Sequence, residues 1–169
     1  MNPTDSLPPT VTLRTAAAAD ASAVATVLIG SRRVLMPFAP SPHSDNSVRQ
    51  WVQNQLLPYA DVTVALQDGV VVGVLAVSEA HGAAWIDQLY VHPERVAQGI
   101  SRALLGHALA QLPRPVQLHC FQANERARRF YENHGFTAQS FSDGASNEER
   151  CPDMLYQLDE AATAIACGA

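Results

Sequence analysis

The chain is short of positive charge: 11 of its 169 residues are lysine or arginine against 16 acidic ones, a formal net charge of −5. Phosphate backbones are held by clusters of basic side chains, so this balance argues against a general affinity for nucleic acid. No run approaches the ~20 apolar residues that a membrane span requires, and the opening MNPTDSLPPT has no basic stretch followed by an apolar one, as a secretory leader would. A cytoplasmic protein without a membrane partner is the expectation. Cysteine is scarce as well. Cys120, Cys151 and Cys167 are odd in number and far apart, which reads as free thiols and not as a disulfide framework. The spacings C-x-x-C and H-x-x-x-H are missing, and His119 and Cys120, adjacent on one strand, point to opposite faces and cannot share a metal. G-x-G-x-x-G and G-x-x-x-x-G-K-[ST] are missing too, so dinucleotide and nucleoside-triphosphate loops lack their defining residues.

What remains is globular in composition, 47% apolar and 16% charged, and long enough for one domain with a core but too short for two. Residues 1–10, with three prolines, read as a flexible tail, and 159–169, rich in small residues, as a second one. Between them Val11, Leu13 and Thr15 alternate as in a half-buried strand. ADASAVATVLIGSRRVLM changes to helical spacing, with Asp20 or Ser22 as cap and Ala21, Val24, Ala25 and Leu28 on one face. After Pro37, Pro40 and Pro42, SDNSVRQWVQNQLL predicts a second helix with Val48, Trp51, Val52 and Gln55 on one side. DVTVALQ, VVVGVLAVSEA and AAWIDQLYVH are strands separated by turns at Asp68-Gly69 and His81-Gly82; strands joined this tightly must form an antiparallel meander. A third helix runs from Gly99 to about Leu112, RPVQLHCF reads as a buried strand, and NERARRFYENH as a fourth helix stopped by Gly135. FTAQSFS and DMLYQLD are the last strands, on either side of the polar loop DGASNEERCP. The order predicts a mixed α+β domain with helices laid on a sheet.

The glycine at the head of the third helix carries the first chemical signal. The first turn of a helix has about four N–H groups without intrahelical partners, and with the macrodipole they attract an anion. Gly99 lets a phosphate approach that main chain without meeting a Cβ, and it accepts φ > 0 as the chain swings from strand to helix. Its surroundings, LYVHPERVAQGISRALLGHAL, resemble the acyl-CoA pyrophosphate loop of the GNAT superfamily of N-acetyltransferases, whose pattern is Q/R-x-x-G-x-G/A between a strand and a helix. NERARRFYENHGF, from Asn124 to Phe136, is similar to the family's second signature, an asparagine followed by a helix ending in F-Y-E-x-x-G-F. The resemblance covers roughly residues 11–158 and implies the GNAT-like fold: a central, mostly antiparallel sheet of about seven strands, splayed in the middle, with four helices on its faces. Two positions depart from the pattern. Val96 stands where the family has Arg or Gln, leaving Arg95 or Arg102 as substitutes, and Ser101 stands where it has Gly or Ala, still small and with a hydroxyl to donate.

By resemblance, the loop Val96, Ala97, Gln98, Gly99, Ile100, Ser101 and Arg102 holds the pyrophosphate, and the main chain at Leu89, Tyr90 and Val91 meets the pantetheine arm and the oxyanion. Asn124 bonds the cofactor or caps the following helix, and Tyr131 protonates the CoA sulfur. The last role suits a phenol, which with a reference pKa of ~10 stays protonated at neutral pH. The base for the amine is Asp87, one of Glu79, His81, His92 and Glu94, or ordered water. By period-two alternation Asp87 falls on the face of Trp85, Leu89 and Val91, an unusual place for an acid. ERARR, 125–129, is a solvated helix face or a contact for the adenosine 3′-phosphate.

The expectation is therefore an N-acetyltransferase that moves an acetyl group from acetyl-CoA to a primary amine of a small molecule or peptide by direct attack in a ternary complex, as monomer or homodimer. A non-catalytic acyl-CoA-binding regulatory module is the alternative that Val96 and Ser101 raise, and a partner-binding protein that uses the fold alone is a third. The resemblance implies an acceptor groove lined by RRVLMPFAPSPHSDN and SDGASNEERCP, where Asp143, Glu148 and Glu149 hint at a cationic acceptor such as a polyamine, aminoglycoside or basic peptide.

Overall fold

The computed structural model describes residues 10–160; the expected tails lie outside them apart from Thr10, Asp159 and Glu160, and so does Cys167. Seven strands, β1 Val11–Thr15, β2 Asp61–Gln67, β3 Val70–Ala80, β4 Ala83–Val91, β5 Val116–Phe121, β6 Thr137–Ser142 and β7 Asp153–Leu158, form one sheet in the order β1-β2-β3-β4-β5-β7-β6. All neighbours are antiparallel except β4 and β5. Four helices complete the α+β fold: α1 Ala21–Leu35, α2 over residues 45–59, α3 Ile100–Gln111 and α4 Glu125–Asn133. Among the described residues no helix is long and apolar enough to cross a membrane.

The meander follows from its turns. Asp68 and Gly69 have φ of 50° and 77°, and His81 and Gly82 have 53° and 77°; two successive left-handed residues make the type I′ turn whose twist matches that of a hairpin. β3 is buried from Val71 to Ala76 without alternation, because helices cover both of its faces. On one side Val24, Val27, Leu28, Val52 and Leu56 of α1 and α2 pack on Val62, Val64, Val71 and Val74. On the other, Ile100, Leu104 and Leu105 of α3 and Tyr131 of α4 pack on Val72, Leu75 and Leu118.

Three local expectations are corrected. Asp20 does not cap α1 with its side chain; it accepts from the Ala17 N–H at 2.7 Å and from both terminal nitrogens of Arg14 at 2.7 and 3.0 Å, tying β1 to the turn that enters the helix. In α2 the residues Val52–Leu56 form a π turn. Its extra residue shifts the buried face from Gln55 to Leu56, and Trp51 stays 39% exposed. β5 alternates, with Val116, Leu118 and Cys120 buried and His119 exposed, because only one of its faces is covered.

The two layers meet most closely at Gly73. A Cβ there would lie 2.8 Å from Ile100 Cγ2, 2.9 Å from Leu104 Cδ1 and 3.2 Å from Ala65 Cβ, so the missing side chain is what lets the first turn of α3 lie against β3. Gly73→Ala is expected to destabilise the domain by about 1–3 kcal/mol through overpacking, read as a lowered midpoint in denaturant titration.

Candidate cofactor cleft and acceptor groove

β4 and β5 are paired at two registers only, Ala84↔Val116 and Trp85↔Gln117. They part where β4 carries a bulge: on β3, Ala76 pairs with Gln88 and Val77 with Ile86, so Asp87 is the extra residue. A bulge bends its strand and strengthens the twist. It also resets the alternation. Ala84 and Ile86 share a core with Leu89 and Val91, whereas Trp85 faces the other way and stacks on His119 with ring centroids 5.5 Å apart. The expected grouping of Trp85 with Leu89 and Val91 is therefore corrected, while Asp87 stays on the Trp85 side through its bond to Ser78, the register partner of Trp85. Asp87 lines the cleft wall, where partial desolvation pushes its carboxyl above the usual carboxylate value and the Ser78 hydroxyl partly opposes the shift.

The parted strands open a cavity of about 940 Å³. Leu89, Tyr90 and Val91 line it from β4, where one edge of the strand has lost its partner. At its far end lies the loop before α3. Ala97 and Gly99 have φ of 61° and 82°, with Gln98 between them outside the left-handed region; such alternation turns successive N–H groups toward one concavity, a nest for an anion. Gly99 is the N-cap of α3 and no side chain caps the turn. The position a Cβ would take at Gly99 is open space. Val96, Ala97, Gly99, Ile100, Ser101 and Arg102 all line the cavity, and Arg95 and Arg126 add positive charge. Gln98 does not line it: its Oε1 turns back to accept from Gln67 Nε2 at 3.2 Å. Asn124 accepts from the Ala127 N–H at 3.2 Å as the N-cap of α4 and also faces the cavity.

Tyr131 stands on the opposite wall because of how α4 ends. The Phe136 N–H donates to Tyr131 O at 3.1 Å and the Gly135 N–H to Glu132 O at 3.1 Å, with Gly135 at φ 89°. This is the Schellman arrangement, in which the residue after the glycine packs on the residue opening the last turn. Here that contact is Phe136 edge-on to Tyr131, centroids 5.6 Å apart. The F-Y-E-x-x-G-F motif thus has a mechanical meaning: it locks the tyrosine ring. Burial pushes the Tyr131 phenol above its ordinary value, reinforced by Cys120 and Tyr90 nearby. Cys120 also faces the cavity, and burial pushes its thiol up to about 12. The alternation of β5 was the signal that could have assigned it there.

A second cavity of about 920 Å³ lies between α1, its connection to α2, α2 itself and the loop before β7. Arg32, Arg33, His43, Asp45, Glu148 and Glu149 are its charged lining. Met36, Tyr90 and Glu149 line both cavities, so the two adjoin across these side chains. Asp143 lines neither and instead accepts from the Ala145 N–H at 2.9 Å. Glu79, His81, His92 and Glu94 line neither cavity; His92 Nδ1 is taken up by the Glu94 N–H at 3.3 Å. Among the described residues no group of three or more His, Cys, Asp and Glu is gathered as a metal site would need.

The sequence profile of the Acetyltransferase (GNAT) family matches residues 31–136. The chain belongs to this family, whose cofactor is acetyl-CoA. No curated protein sequence matches it. Among solved structures it is similar to the PaiA N-acetyltransferase of Thermoplasma acidophilum in complex with coenzyme A, with TM-score 0.72 at 17% identity over 89% of this chain and 99% of that one. It is similar to yncA of Salmonella typhimurium, solved with its cofactor acetyl-CoA, with TM-score 0.68 at 21% identity over 94% and 99%. The ribosomal-protein-S18-alanine N-acetyltransferase of Escherichia coli gives TM-score 0.68 at 18% identity over 95% and 100%.

The cleft fits the family's cofactor on its own geometry. An uncapped left-handed turn offers amides to a diphosphate, a long cavity leads away from it, and a strand edge without a partner follows the path. Because a Cβ at Gly99 meets nothing in the protein, its steric cost falls on the ligand, and the backbone strain it adds at φ 82° is read separately as lost fold stability. Gly99→Ala is expected to weaken CoA binding about tenfold, roughly 1.4 kcal/mol, in calorimetric titration, with Ser101→Ala as the milder comparison.

Proposed function

We propose that the protein is an N-acetyltransferase that moves an acetyl group from acetyl-CoA to a primary amine by direct attack in a ternary complex. The observation that carries this reading is the pair of adjoining cavities, one with the uncapped turn of α3 at its end and the Tyr131 phenol on its wall, the other meeting it at Tyr90. When bound, acetyl-CoA supplies the acetyl group and the thiol that leaves.

The chain's own residues divide the remaining work. The main chain from Val96 to Arg102 grips the diphosphate, with the side chains of Arg95, Arg102 and Arg126 in place of the polar residue missing at Val96. Gln98 contributes through its main chain only, since its side chain is bonded to Gln67. The free edge of β4 at Leu89, Tyr90 and Val91 receives the pantetheine arm and the carbonyl oxygen. Asn124 orders the head of α4. Tyr131 holds a proton at its phenol oxygen for the departing sulfur, and its burial keeps that proton in place over the whole working range. Asp87, on the bulge beside the cleft, takes the amine's proton through water. The reading of an acyl-CoA-binding module without catalysis differs in one measurable respect: it binds acetyl-CoA and releases no thiol with any amine.

Tyr131→Phe is expected to lower thiol release on the order of 100-fold while leaving calorimetric affinity for CoA unchanged. The sign of the pH dependence follows from the raised phenol. An acid is lost only above its pKa, so thiol release by the wild type should climb as the amine deprotonates and show no descending limb below about pH 10. A fall beginning near pH 8 would remove Tyr131 as the acid.

A further inference from the structure

The acceptor cavity contains three pairs of opposite character, and they differ in depth. Arg33 Nη2 reaches both oxygens of Asp45 at 2.8 and 3.0 Å, and His43 Nε2 lies 2.8 Å from Glu148 Oε2. Both pairs are at the rim, with side chains 66% and 52% exposed in the first and 53% and 71% in the second. The third pair is deep: Arg32 Nη2 donates to Glu149 Oε1 at 2.6 Å, the side chains 20% and 15% exposed. Among the described residues Glu149 is the one carboxylate that lines both the cofactor cleft and the acceptor cavity. Its Oε1 is occupied by Arg32, while Oε2 has no hydrogen-bond partner among the described residues. The same cavity has an apolar part to its wall, formed by Leu28, Ile29, Met36, Val48 and Trp51.

We infer that Glu149 is the anchor for the acceptor's ammonium group, and that the acceptor is a monoamine on an apolar body. This inference rests on the transferase reading and names its substrate class. A carboxylate with one oxygen clamped by a guanidinium is held in one rotamer, so docking a cation on the other oxygen costs little further side-chain freedom. The anchor lines both cavities, so a nitrogen held there stands between the acceptor site and the cofactor cleft. One positive charge is also the limit. Asp45 has both oxygens on Arg33, and Glu148, with one oxygen on His43, is 71% exposed at the rim, where charge pairing holds weakly, so a second ammonium gains little there and meets Arg33 beside it. An apolar body instead covers Trp51 and Met36 and gains from leaving water. The three acids of the late loop, read by themselves, had pointed to a polycation; Asp143 is outside the cavity and the other two are paired.

The test compares Glu149→Gln with the wild type, using phenethylamine and spermidine as acceptors. Glutamine keeps an oxygen for Arg32 and removes the charge, so the clasp survives and the anchor does not. For the variant, KM for phenethylamine and its dissociation constant from the CoA-bound protein, by calorimetry, should rise about tenfold or more, with CoA affinity unchanged and kcat within about twofold. Asp143→Asn, the same loss of charge on the same loop outside both cavities, should change none of these. The wild type should prefer phenethylamine over spermidine by about tenfold or more in kcat/KM. Unchanged KM and amine affinity in Glu149→Gln, or a preference for spermidine, overturns the inference. If Glu149→Gln does not fold, the preference of the wild type decides alone. A wild type that binds acetyl-CoA and releases no thiol with any amine defeats the transferase reading instead, and the calorimetric comparison of amine binding still decides the anchor.

Discussion

The molecule depends on two parallel strands that begin to pair and then stop. β4 and β5 share two registers before the bulge at Asp87 and no more after it. A strand edge left inside a domain carries N–H and C=O groups that must find water or a ligand. The gap is tolerable because everything around it is well supported: β4 keeps its full ladder to β3 on the other side, and β5 keeps its ladder to β7. The sheet is thus continuous in topology and open in the middle, and the opening is the cleft proposed for the cofactor.

Each wall of that opening is set by a local rule of chain geometry. The bulge bends β4 away. The left-handed residues Ala97 and Gly99 turn the chain into α3 with its amides facing the gap. The Schellman end of α4 fixes Tyr131 through Phe136. Tyr131 and Cys120 share the apolar side of the cleft, and both are driven toward their protonated forms by the same burial. A thiol held that way is a packing group, and a phenol held that way keeps the proton that the proposed role as acid requires. The contrast comes from what each is asked to do, not from where it sits.

The acceptor side is governed by paired charge. The chain contains no lysine; every one of its 11 basic residues is arginine. A guanidinium stays charged, binds carboxylates through a planar fork and is no nucleophile at neutral pH. Arg32 can therefore clamp Glu149 at the junction of the cavities without offering a side-chain amine that would compete for the acetyl group.

Much of this was legible in the residues. Strand limits at Asp61–Gln67 and Val70–Ala80, both type I′ turns, the left-handed glycine before α3 and the stop at Gly135 are all decided within a few residues of chain, by propensity and turn chemistry. So was the family, because its two motifs are themselves local structures, an anion-binding turn and a locked helix end. Only the tertiary structure decided that Trp85 faces away from Leu89 and Val91, since period two holds until a bulge interrupts it, and bulges answer to the partner strand. It alone turned Gln98 toward Gln67, shifted α2 by a π turn and brought Glu149 to Arg32 across 117 residues of chain. Those outcomes depend on contacts between segments far apart in sequence, and a pattern read along one segment carries no information about what will face it.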